Sequence, residues 1–151
     1  MNIQEHTTPE KLEKYSFLWS EARLVVTSIA LFMGGVSPLL FFLRMPIFYG
    51  LIGSLLTFSW IISGISAGYL LYRWDRGGRK LFGKKKQQDT ISFFVMVVTG
   101  LNLGLAGLFG INIGIFISSN RIVFALTGIL YLVTAFYLYK RWNESGKRIF
   151  K

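Results

Sequence analysis

The chain contains no cysteine, which removes disulfides, thiolate metal sites and cysteine nucleophiles from consideration. Histidine occurs once, as His6 in a polar N-terminal stretch, so a metal site and histidine acid–base chemistry both lack the side chains they need. Acidic residues are scarce: seven Asp and Glu stand against 17 Lys and Arg, and no pair of carboxylates falls inside a long apolar run. There is no G-x-S-x-G, phosphate-binding loop, dinucleotide fingerprint or potassium-filter-like segment. No catalytic constellation and no cofactor are expected. The first 17 residues are polar and of mixed charge, unlike a cleaved signal peptide.

What the chain does have is apolar length. Of its 151 residues, 52% are hydrophobic, yet the net charge is +10. The two coexist because the charges are gathered into short blocks between long uncharged runs, which is the pattern of a membrane protein. A bilayer core about 30 Å thick needs about 20 helical residues. Four runs meet that length, and the expectation is an all-α, polytopic membrane protein forming one domain. Its four spans are placed at 18–43, 47–72, 91–117 and 121–140, with a basic loop over 73–90 and termini at 1–17 and 141–151.

Orientation follows from the positive charge. Residues 73–86 hold seven basic side chains and one acidic one, and the C-terminal tail adds Lys140, Arg141, Lys147, Arg148 and Lys151. The two other connections carry a single arginine each, Arg44 and Arg121. The positive-inside rule therefore puts both termini and the basic loop in the cytoplasm. Since topology accounts for the charge, nucleic acid is not an expected partner.

The charged ends also repeat one another. Arg73-Trp74-Asp75-Arg76-Gly77-Gly78-Arg79-Lys80-Leu81-Phe82 matches Arg141-Trp142-Asn143-Glu144-Ser145-Gly146-Lys147-Arg148-Ile149-Phe150 at a fixed offset of 68. The offset continues backward through Leu70/Leu138, Tyr69/Tyr137, Ala67/Ala135 and Ser66/Thr134. Two tandem, parallel two-helix repeats are expected, related by a pseudo-two-fold axis along the membrane normal. In each tail the basic-Trp pair, Arg73-Trp74 or Arg141-Trp142, should sit at the lipid interface. The residues after it should lie on anionic headgroups.

Within the spans, a few groups stand out. Gly34 precedes Pro38, which should kink the first helix and free the Gly34 carbonyl. Glu21 and Arg23 lie near the start of that helix, where Arg23 should snorkel to the interface. Ser59, Ser63 and Ser66 form one hydroxyl stripe on the second helix, beside the Gly64/Gly68 pair. On the third helix Gly100, Gly104, Gly107 and Gly114 fall within an arc of roughly 80°, a smooth groove for another backbone. Asn102 should lie near the midplane and Asn112 near the far interface, both turned away from that groove. The fourth helix is aromatic and peripheral.

Four short helices enclose little volume, so a pathway would need a homo-oligomer. The leading expectation is an oligomeric channel or transporter for a small ion or solute, with Asn102, Asn112, Ser59, Ser63, Ser66, Gly34 and Pro38 on its path. The alternative is a non-enzymatic scaffold or accessory subunit that binds partner helices through its glycines and anionic lipid through its basic tails.

Overall fold

The computed structural model describes residues 8–35, 49–113 and 120–150. Four helices account for nearly all of them: α1 (Pro9–Phe32), α2 (Tyr49–Arg76), α3 (Gln87–Phe109) and α4 (Arg121–Glu144). Three segments are long and apolar enough to cross a membrane: Leu51–Arg76, Gln87–Phe109 and Arg121–Glu144. The described part of α1 is not among them, because Glu10, Lys11, Glu13, Lys14, Glu21 and Arg23 all fall inside it.

Local chemistry shifts several boundaries from their expected places. Helix α1 starts at Pro9, a residue preorganised for a first turn, so much of the expected N-terminal tail is helical. It stops at Phe32, before the expected kink. The Gly35 amide donates to the Ala30 carbonyl and the Gly34 amide to Leu31, with both glycines at positive φ, where a side chain would be strained. Pro38 lies outside the described residues, as does Gly114. Helix α3 begins at Gln87, inside the expected loop, and ends at Phe109 because Gly110 adopts a left-handed cap whose amide bonds the Ala106 carbonyl. Helix α4 is capped by Asn120, whose side chain accepts from the Ile122 amide.

The helices form a four-sided bundle in which α1 neighbours α2 and α4, and α3 neighbours the same two. The broadest contact joins α2 to α3, and glycine makes it possible. A Cβ at Gly104 would lie 2.6 Å from the Gly64 Cα, and one at Gly107 would lie 3.0 Å from the Ile61 backbone nitrogen. At Gly100 it would meet the Ala67 Cβ at 2.7 Å. The groove on α3 is therefore filled by α2 of the same chain. On the opposite side, Ser28 Oγ donates to the Gly128 carbonyl (2.6 Å), and the Phe32 ring covers Gly128, tying α1 to α4.

The compact core sits at the basic end. Phe17, Leu24, Leu70, Phe93, Met96, Val97, Leu138 and Trp142 pack there, closed over by Leu81, Phe82 and Ile149 from the connections. Towards the other end the apolar side chains face outward, among them Leu51, Leu55, Phe58, Leu108, Phe109 and Leu126. An outward apolar girdle suits lipid rather than water.

Gly104→Ala is expected to lower the unfolding midpoint in a detergent titration by the equivalent of about 1–3 kcal/mol, the cost of overpacking a close contact. Gly68→Ala, where a Cβ meets none of the described atoms within 4 Å, should not lower the midpoint.

Candidate functional site

The most unusual chemistry lies between α1 and α3. Arg23 is 8% exposed and does not snorkel. Its guanidinium donates to Thr99 Oγ1 (3.0 Å) and to the Met96 carbonyl (2.6 Å) across the bundle. Gly100 leaves room for it, since a Cβ there would stand 3.2 Å from an Arg23 terminal nitrogen. Thr99 is itself tied to its own helix, donating to the Val95 and Met96 carbonyls. Ten residues of helix separate Arg23 from Glu13 at the basic end, a climb of about 15 Å.

Glu21 and Ser20 are buried beside it. Two residues apart on α1, Glu21 and Arg23 project to different sides of the helix. Among the described residues Glu21 Oε1, Ser20 Oγ and Arg23 Nε have no hydrogen-bond partner. Trp19 stands one position before Ser20 and donates its indole N–H to Ser63 Oγ of α2 (3.0 Å). A carboxylate, a hydroxyl and one edge of a guanidinium thus share a stretch of helix with unspent hydrogen-bonding capacity. Buried polar groups ordinarily find partners, and those that do not are candidates for water, an ion or a proton.

At the basic end two carboxylates are fully used. Glu13 Oε2 accepts from Arg73 (3.2 Å), while Oε1 accepts from the backbone amides of Ile149 (3.3 Å) and Phe150 (3.2 Å). Asp89 is completely buried and takes a two-pronged bond from Arg141 (2.9 Å on each oxygen) plus the Tyr137 hydroxyl (2.6 Å). Rings stack around these pairs, with Phe17 against Trp142 at 5.5 Å and Trp74 against Phe93 at 6.0 Å. The Phe82 amide donates to the Ile149 carbonyl (2.7 Å), joining the basic loop to the C-terminal tail.

The residues singled out in the sequence fall into different groups. Of the serine stripe, Ser59 donates to Leu56 and Ser63 to Ser59, both backbone carbonyls of α2; Ser63 and Ser66 are buried. Asn102 and Asn112 do not diverge: Asn102 Nδ2 donates to Asn112 Oδ1 (3.0 Å), and the Ile113 amide donates to Asn102 Oδ1 (2.9 Å). The left-handed turn at Gly110 folds the chain back, so a continuous helical wheel misplaced Asn112. Gly34 lies past the end of α1 rather than within a kinked helix. Trp142 is buried in the core and Trp74 is half-buried, and Leu81, Phe82 and Ile149 pack inward at the same end. The sequence missed the burial of Arg23 against α3. Its signals were a small residue, Gly100, on a facing helix and Thr99 beside it.

No cluster of His, Cys, Asp or Glu suited to a metal ion occurs among the described residues. No protein-family model, curated protein or solved structure matches the chain.

Asp89→Asn removes the charge that Arg141 is built around and should destabilise the bundle by about 3–5 kcal/mol in a denaturant titration, as expected when a buried pair loses one partner. Glu144→Gln, which touches Arg141 from an exposed position (3.0 Å), should cost less than about 1 kcal/mol.

Proposed function

We propose that the chain is a polytopic membrane protein that passes a small ion or solute. Its working site in this reading is the buried polar stretch Ser20–Arg23 of α1, with Glu21 as its ionisable group, and it acts as a homo-oligomer with its basic end in the cytoplasm. The observation that carries this reading is Glu21: a buried carboxylate with an unpartnered oxygen on a bundle whose other helices are long and apolar enough to cross a membrane. Ionisable groups in such a setting are costly and mark ion or proton pathways. For the alternative scaffold reading, Gly100, Gly104 and Gly107 pack against α2 of the same chain, so partner helices would have to dock elsewhere.

We further propose that the bundle is two copies of one helical hairpin, and several independent details support it. At the offset of 68, the Gly77 amide bonds the Arg73 carbonyl as Ser145 bonds Arg141, and the Arg79 amide bonds Trp74 as Lys147 bonds Trp142. Gly78 and Gly146 have φ of 73° and 71°, and Arg79 and Lys147 have 60° and 61°. Glu13-x-x-x-Phe17 on α1 answers Asp89-x-x-x-Phe93 on α3. Each acid holds the arginine of its own hairpin, whereas each phenylalanine stacks on the tryptophan of the other. The same registration makes Arg23 the counterpart of Thr99, the residue it bonds. A residue in contact with its own counterpart lies close to the axis relating the halves. In repeat transporters that interface is where substrates bind.

Proteoliposomes preloaded with proton, potassium, sodium or chloride reporters test the transport reading. Flux of one of these is expected, reduced at least about tenfold by Glu21→Gln, a change of about 1.4 kcal/mol in barrier, and unchanged by Glu144→Gln. Absence of flux for every ion and for small neutral solutes sinks the reading.

A further inference from the structure

A cavity of about 300 Å³ opens at the basic end, between the start of α1 and the C-terminal tail. That volume is at the lower limit of small-ligand pockets. Its charged lining is unbalanced: Lys11, Lys14, Arg73, Lys147 and Arg148 face Glu10 and Glu13. Glu13 is already neutralised by Arg73 and by two backbone amides. Glu10 reaches Arg148 only at 4.0 Å, with both side chains largely exposed. The cavity therefore carries a surplus of positive charge on flexible side chains. Its apolar lining is made by Trp142, Ile149 and Phe150, and among the described residues the buried Trp142 indole N–H has no acceptor.

We propose that this cavity binds the phosphate of an anionic lipid headgroup. The chemistry needed is a compact oxyanion joined to an apolar body, because lysine and arginine side chains share the lining with aromatic and aliphatic ones. The level is also right. The cavity adjoins the Glu13–Arg73 pair, one helical turn from the Phe17–Trp142 stack, where the apolar helices end and the charged connections begin. Phosphate at the surface of a bilayer lies at this boundary, and basic pockets next to apolar helices hold headgroups by the same combination. The backbone at Lys147, at φ 61°, follows Gly146 in a turn fixed by the Trp142 carbonyl, so that lysine is delivered to the rim by the fold. This site is separate from the Glu21 cluster and is independent of whether anything is transported.

Native mass spectrometry of the full chain released from detergent tests the assignment, with phosphatidylglycerol, phosphatidylcholine and inorganic phosphate offered separately. Retention of phosphatidylglycerol over phosphatidylcholine is expected. The Lys14→Gln/Lys147→Gln double variant should weaken it about thirtyfold, the worth of two basic side chains at an anionic surface. Lys14→Arg/Lys147→Arg should keep it. Lys84→Gln/Lys85→Gln, in the basic loop and outside the cavity, should change it less than about twofold, with all variants sharing one unfolding midpoint. Equal loss in the loop variant, no loss in the cavity variant, or binding of inorganic phosphate without retention of the lipid would each overturn the assignment.

Discussion

Two backbones cannot come within touching distance unless both lack side chains at the crossing, and Gly64 and Gly104 meet under that condition. The remainder of the bundle is arranged around this approach. It brings Ala67 and Ser63 against Gly100, and Gly100 in turn leaves the slot that Arg23 enters from α1. A bulkier α3 would push α2 away, and the guanidinium would lose the wall behind it. In an apolar solvent there is little hydrophobic drive between helices, so dispersion at such contacts carries much of the association.

Charge closes what glycine brings together. Asp89 and Glu13 each sit at the start of a helix and bind an arginine at the end of the next. The pair of buried Asp89 and partly buried Arg141 is specific rather than cheap, because desolvation offsets much of its attraction. Its value lies in register: the fork of Arg141 fits Asp89 in one alignment, with Tyr137 as a third contact. Aromatic stacking then joins α1 to α4 and α2 to α3, so neither helix pair completes the basic end alone.

Much of this was legible in the sequence. The apolar runs at 47–72, 91–117 and 121–140 correspond to α2, α3 and α4, and the glycine arc on α3 is a contact face. The misreadings share a cause. Counting residues treats each run as one straight helix, but Gly110 turns the chain back and sets Asn112 against Asn102. A charge near the end of a run also reads as interfacial. Arg23 is buried because α1 is helical from Pro9, which makes its charged start part of the bundle rather than a tail. Gly100 beside Thr99 marks room on α3, but nothing linear announces that Arg23, 76 residues away, fills it.

The carboxylate of Glu13 has a further consequence, for the order of assembly. Two of its three donors are the amides of Ile149 and Phe150, and the first of these lies 136 residues downstream. While the chain is being made, α1 therefore waits with an acid only partly satisfied, and the Phe82 amide likewise waits for the Ile149 carbonyl. The basic end cannot lock until Ile149 and Phe150 have been made. A chain stalled or clipped before residue 149 would leave Glu13 without two of its three donors and the Phe82 amide without its acceptor.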